Sequence, residues 1–266
     1  MEFTDQLGKT IRLAETPQRI VSLVPSQTEL LYDLGLSDRV IGITKFCVHP
    51  DSWFRSKIRV GGTKNVDTKK AAELHPDLII GNKEENSKSD IEALEEIAPV
   101  WMSDIYDLSD SLDMISRLGV ICGVPERSAD ICNKISLEFE GLTPYHESLK
   151  VLYLIWRDPY MAAAGNTFID SVITRNLGFE NFLATEYRYP VIDPYDIEEN
   201  PDLIFLSSEP YPFKEKHVEE LKMLFPESRV YLVDGEYFSW YGSRLMKAPQ
   251  YFRNLLDEIR KDNSEF

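Results

Sequence analysis

The sequence predicts an α/β protein built as two lobes joined by a single long helix. Three observations carry this. Short apolar runs alternate with helical patterns, as in a parallel α/β sheet. One long amphipathic stretch, from Pro125 to about Tyr145, interrupts that rhythm near the middle of the chain. The second half then repeats features of the first in the same order. HPDLII at His75–Ile80 is echoed by NPDLIF at Asn200–Phe205, DLGL at Asp33–Leu36 by NLGF at Asn176–Phe179, and IVSLV at Ile20 by VLYLI at Val151. The predicted boundaries are residues 1–123 for the first lobe, 124–148 for the linking helix and 149–266 for the second lobe.

The chain opens with a small β arm, in which Phe3 and Ile11–Leu13 flank a polar turn. Ile20–Val24 is an apolar strand ended by Pro25. Ser26 with Glu29 three residues on reads as a capping box, Leu30, Leu31 and Leu34 as an apolar helix face, and Gly35 as its stop. Val40–Ile43 is the next strand. Ile58–Val60 runs into Gly61-Gly62, Asp67 caps a helix through Leu74, and Leu78–Ile80 is a strand. Ser89 and Glu92 suggest a second capping box, Val100–Met102 a strand and Ser109–Ile121 a helix. Pro125 suits the first turn of the long helix, where Ile131, Ile135, Phe139 and Leu142 keep helical spacing. About twenty helical residues would span roughly 30 Å. The second half reads as strand Val151–Trp156, helix Asn166–Ile173, strand Leu203–Leu206, helix Lys214–Leu224, strand Val230–Val233 and helix Pro249–Ile259.

Composition narrows the function. The chain has 266 residues, 43% hydrophobic and 11% aromatic, which indicates a real core. A net charge of -16 argues against nucleic acid or an anionic membrane as partner. Cys47, Cys122 and Cys132 make no disulfide framework. The N-terminus, MEFTDQLGKTIRL, has neither a basic n-region nor an apolar h-region. Either the chain works in the cytoplasm, or a leader has been removed.

Ligands of open α/β sheets bind beyond the carboxyl ends of the strands. In the first half those ends offer Pro25, Ser26 and Gln27, then Phe46, Cys47 and His49, then Lys64, then Asn82, Glu84 and Glu85. In the second half they offer Trp156, Arg157 and Tyr160, then Tyr237 and Trp240, with Tyr189 in a connecting loop. Such density of rings suits a cleft for a large, partly apolar ligand. No GxSxG elbow, Walker loop or GxGxxG after a strand is present, and the four histidines show no metal-ligand spacing. Cys47 and His49, two apart in one loop, leave a Cys/His enzyme or a metal site with a distant carboxylate open, while the leading expectation is no catalytic residue, no resident cofactor and no metal.

The run RIVSLVPSQTELLYDLGL, followed by VIGIT, VGGTKNVD, HPDLIIGN and the long central helix, resembles the helical-backbone (class III) substrate-binding proteins of ABC importers. These include cobalamin-binding proteins and iron–siderophore and haem receptors. The resemblance covers nearly the whole chain. It implies two Rossmann-like lobes with parallel sheets joined by one rigid helix, with the ligand held between the lobes. It implies that Pro25-Ser26-Gln27 face the ligand, that Phe46 and Tyr189 contribute ring contacts, and that the Trp240 loop closes over the ligand. It further implies acidic residues that dock the membrane permease: Glu84 or Glu85 in the first lobe, Asp196 or Glu198 in the second. The ligand expected is a metal chelate such as cobalamin, haem or a ferric siderophore, the protein a periplasmic monomer, and the partner an ABC permease. Two alternatives stand beside this. One is a direct metal-ion binder using His49 with Cys47 or acidic residues. The other is a cytoplasmic enzyme or sensor on the same scaffold.

Overall fold

A computed structural model describes residues 1–264. The chain forms two compact units. Unit 1 comprises Met1–Ile105, Ser109–Ile135 and Trp240–Arg244, and unit 2 the remainder.

Unit 1 starts with an antiparallel hairpin of β1 (Glu2–Thr4) and β2 (Thr10–Arg12). Strand β3 (Ile20–Ser22) leads into α1 (Pro25–Asp33). The capping box expected here does not form. Val24 is the N-cap, Pro25 takes the first helical position, and Ser26 lies inside the helix without capping it. Proline fixes the helical φ and lacks the N–H that would go unpaired, so it starts the helix unaided. Gly35 ends the helix as expected, with φ 77°. Next come β4 (Val40–Ile43), α2 (Asp51–Ser56), β5 (Ile58–Arg59), α3 (Thr68–Glu73) and β6 (Leu78–Asn82). Asp67 caps α3, accepting the Lys70 N–H at 3.0 Å. Helix α4 (Lys88–Glu95) is capped by Ser87, two residues before the serine expected to start it. Strand β7 (Val100–Ser103) and α5 (Leu108–Ile121) follow, then α6 (Pro125–Glu140), which passes from unit 1 into unit 2 after Ile135.

The five strands β5-β4-β3-β6-β7 form one sheet, parallel throughout. Strands β3 and β6 are buried at every residue, which explains their continuous apolar runs. Helix α6 begins at Pro125 as expected but stops at Glu140, short of Tyr145. Its 16 residues give about 24 Å rather than 30. Gly141 and Pro144 disfavour continuation.

Unit 2 contains β8 (Lys150–Trp156), β9 (Tyr160–Ala162), α7 (Phe168–Ser171) with a π-helical turn at Val172–Asn176, β10 (Glu180–Asn181) and β11 (Val191–Ile192). A 3-10 turn at Pro194–Asp196 precedes β12 (Leu203–Ser207), α8 (Glu215–Leu224), β13 (Arg229–Val233), α9 (Gly235–Ser239) and α10 (Ala248–Ser264). Strands β8, β12 and β13 are parallel neighbours, and β10 pairs parallel with β8. The sheet is nevertheless mixed, because β9 returns antiparallel beside β8 and β11 pairs antiparallel with β9. The return is made by the turn Arg157-Asp158-Pro159, with Asp158 at φ 62°.

Side-chain alternation divides the unit 2 core. Leu152, Leu154, Ile204 and Leu206 pack with Phe213, Val218, Leu221 and Phe225. The residues between them build a ring cluster, in which Tyr153 and Phe205 both contact Phe238. The echoed PDLI segments make equivalent bonds. Asp77 accepts the N–H groups of Gln18 (2.7 Å) and Arg19 (2.9 Å), just ahead of β3. Asp202 accepts the N–H of Lys150 (2.7 Å), the first residue of β8.

Candidate functional site

In unit 1 the polar residues at the strand ends divide into those that shape loops and those that face outward. Gln27 is fully buried, and its Nε2 donates to Ser103 Oγ at 2.6 Å and to the Gly81 carbonyl at 3.2 Å. Its Nε2 stitches the ends of β6 and β7 together, while its Oε1 is buried with no hydrogen-bond partner. Asn82 is buried beside it. Its Nδ2 donates to Ser103 Oγ (2.9 Å), and its Oδ1 accepts the N–H groups of Glu84 (2.8 Å) and Glu85 (3.0 Å). Asn82 therefore sets the turn that carries the two glutamates. The exposed Lys64 donates to the Glu84 carbonyl. Pro25 opens α1, and the Ser26 hydroxyl beside it is buried with no hydrogen-bond partner.

Phe46 is 51% exposed, with the Lys45 ammonium 5.0 Å from its ring centre. Cys47 points the other way. Its Sγ is sealed beneath the loop, 3.1 Å from both Thr28 Oγ1 and Thr44 Oγ1. Burial pushes its pKa up, against the lowering effect of those hydroxyls, so it stays a thiol. His49 instead lies edge-on to Trp240, with ring centres 5.5 Å apart. The loop thus sends its sulfur and its imidazole to different partners. Among the described residues, no group of three or more His, Cys, Asp or Glu side chains is placed to hold a metal ion.

Trp240 belongs to unit 1 although its chain neighbours on both sides belong to unit 2. It is only 5% exposed. The Arg244 guanidinium lies over its ring at 4.6 Å and makes a two-pronged ion pair with Glu29 of α1, at 2.8 and 2.9 Å. The indole, in the loop expected to close over the ligand, has almost no open surface here.

In unit 2, Trp156 keeps an open face, 40% exposed, with its edge on Tyr211 at 5.8 Å. Arg157 and Tyr160 are already engaged. Tyr160 donates to Glu220 Oε1 at 2.7 Å, and Arg157 Nη2 contacts both carboxylate oxygens at 3.0 Å. Burial opposes the Glu220 charge, but the Tyr160 hydroxyl and the Arg157 guanidinium outweigh it and hold its pKa below the ordinary value. These residues, expected as ligand contacts, here tie α8 to the β8–β9 turn. Tyr237 stacks on Tyr251, ring centres 4.6 Å apart and 17° between planes. Tyr189 is half-buried. Beside it Arg188, at φ 55°, places its guanidinium 5.8 Å from the Tyr189 ring and 5.5 Å from that of Tyr106. Asp196 and Glu198 are exposed.

Three participants escaped sequence reading: Arg188, Glu220 and the Glu29–Arg244 pair. For Glu29 a signal existed, since it stands three residues after Ser26. That spacing reads as a cap, but the partner of Glu29 lies 215 positions away.

Residues 20–223 match the periplasmic binding protein family. The chain belongs to this family. It is 24% identical over 262 residues to an uncharacterized ABC transporter substrate-binding lipoprotein, YvrC, of Bacillus subtilis (strain 168), covering 92% of this chain and 81% of that one. It is 24% identical over 195 residues to the vitamin B12-binding protein of Vibrio campbellii (strain ATCC BAA-1116), covering 71% and 70% of the two chains. The apo periplasmic heme-binding protein RhuT from Roseiflexus sp. RS-1 has the same fold, with TM-score 0.75 at 20% identity over 89% of this chain and 98% of that one. The family and these relatives are binding proteins rather than enzymes. Among the described residues, no helix is long and apolar enough to cross a membrane.

Proposed function

We propose that this chain is the substrate-binding component of an ABC importer, capturing a corrinoid or an iron chelate and delivering it to a permease. The observation that carries the reading is the family match over residues 20–223, joined to relatives named for ABC transport and for vitamin B12. The strand ends agree with it. Phe46 and Trp156 keep open ring faces, and Tyr189 lies in a loop where Arg188 is held between two rings. Flat or ring-shaped ligands bury much apolar area against such faces with little rotamer entropy lost. In this reading Pro25 and Ser26 border the ligand, while Gln27 and Asn82 hold the loops in shape. Glu84, Glu85, Asp196 and Glu198 are proposed as the acids that dock the permease, and the protein as a monomer acting outside the cytoplasmic membrane. The test is a calorimetric titration of the purified protein with cyanocobalamin, haemin and a ferric siderophore. One of them should bind at micromolar concentration or tighter and quench tryptophan fluorescence. Failure of all three classes would sink the reading.

A further inference from the structure

Five residues of the second half, Trp240–Arg244, leave unit 2 and lie on unit 1. The strap is well buried, with Trp240, Tyr241 and Ser243 at 5%, 6% and 1% exposed, and specific contacts add to that burial. Three are visible. The Ser111 hydroxyl donates to the Tyr241 carbonyl at 2.6 Å. Gly242 passes so close to α1 that a Cβ there would lie 2.5 Å from the Ser26 carbonyl oxygen. Arg244 makes its forked pair with Glu29 while its flat face covers the Trp240 indole.

The Arg244 contact differs in kind from the other two. Both charged side chains are largely withdrawn from water, 12% and 14% exposed, so the pair is poorly screened. A guanidinium can give two parallel N–H bonds in its plane and still stack its face on an aromatic ring; an ammonium cannot do both. Arg244 therefore links Glu29 to Trp240, and Trp240 in turn meets His49, which lies in the Phe46 loop. The chain of contacts runs from α1 through the strap to that loop.

We propose that Glu29 and Arg244 are positioning residues: their ion pair latches the strap onto unit 1 and fixes the Trp240 indole against His49, over the start of α1. The latch itself rests on geometry alone. Its consequence for ligand rests on the functional reading above: the strap covers the backbone of Ser26, so the pair governs how readily that loop is exposed and how fast a bound chelate leaves.

The experiment compares wild type with Glu29→Gln, which keeps shape but removes the charge, and Arg244→Lys, which keeps the charge but loses the fork and the flat face. The protein is labelled with 5-fluorotryptophan, which gives one resonance for each of its four tryptophans. Both variants should shift or broaden the Trp240 resonance and speed amide exchange at Tyr241–Arg244 by at least thirtyfold. The Trp101 resonance, from β7 of the same unit, should stay in place. Release of whichever probe binds, cyanocobalamin or haemin, should quicken at least tenfold. If exchange in the strap stays within twofold of wild type in both variants, the latch is wrong. Equal movement of Trp101 and Trp240 would overturn it too, since the pair would then be general stabilisation. If neither probe binds to any form, the functional reading fails, while the exchange data still decide the latch.

Discussion

Trp156→Ala offers the sharpest measure of the ligand reading. A tryptophan side chain can bury on the order of 150–250 Å². With 40% of Trp156 exposed, roughly 60–100 Å² remains for a ligand to cover. At about 25 cal/mol per Å² that is about 1.5–2.5 kcal/mol, or ten- to seventyfold in Kd. Phe46, 51% exposed, offers a comparable face. Trp240, at 5%, offers on the order of 10 Å², worth about 0.3 kcal/mol. Calorimetric titration of Trp156→Ala, Phe46→Ala and Trp240→Ala with the chelate that binds wild type separates these. The first two should lose about tenfold or more. Any loss in Trp240→Ala beyond twofold must act through the strap, and the same loss should then appear in Glu29→Gln. Affinity within twofold of wild type in Trp156→Ala would refute the claim that its open face meets the ligand.

Three further outcomes are expected. Asp77→Ala should cost about 2 kcal/mol in urea unfolding and Asp202→Ala less than about 1, because the first loses two charge-assisted bonds and the second one, both partly screened by solvent; equal losses would contradict the bond count. His217 accepts the Lys214 N–H through Nδ1 at 2.8 Å, so the neutral ring is the one that caps α8. Burial, with Lys216 and Arg157 nearby, lowers its pKa, so this stabilisation is complete above the ordinary histidine pKa of about 6.5 and is lost as acid protonates the ring below it. Urea midpoints between pH 7.5 and 5 should fall more steeply in wild type than in His217→Gln, and parallel slopes would remove His217 from the account. Charge reversal at Glu84, Glu85, Asp196 and Glu198 should abolish uptake in a reconstituted importer with ligand affinity unchanged; parallel loss of both would place these acids in the binding site.

The α/β alternation was legible because β3 and β6 are buried on both faces, which demands unbroken apolar runs that few other structures tolerate. The echoed PDLI segments were legible for a related reason. Each aspartate binds the backbone where a central strand of its sheet begins, a bond that fixes where the strand enters. Helix ends were less legible. Ser26 and Ser89 have the sequence of capping residues, but α1 starts at Pro25 with Val24 as its N-cap, and Ser87 caps α4. A cap is decided by a few tenths of a kcal/mol between adjacent candidates, and sequence spacing does not resolve that. The antiparallel strands β9 and β11 were missed because strands so short leave little periodicity to read.

The site residues fall on both sides of the same divide. Exposure of Phe46 and Trp156 follows from local position, since Phe46 stands just beyond β4 and Trp156 is the last residue of β8. The fates of Gln27, Arg157 and Tyr160 do not follow from local position. Each has the chemistry of a ligand contact, and each is claimed by a residue distant in sequence: Ser103 for Gln27, Glu220 for the other two. A strand-end polar group is open to a ligand only when the fold supplies no nearer partner, because burying it unpaired costs about 1–3 kcal/mol. The Ser26 hydroxyl is then the informative case. It is buried at the start of α1, lacks a hydrogen-bond partner, and lies under a strap held by an ion pair. A protein that leaves such a group unpaired has either a water there or a state in which the group finds its partner. Breaking the Glu29–Arg244 pair and following exchange at Thr28, whose N–H bonds the Val24 carbonyl at 2.9 Å, tells these apart. A bridging water leaves Thr28 protected with the rest of α1, whereas a strap that opens lets it exchange together with Tyr241–Arg244.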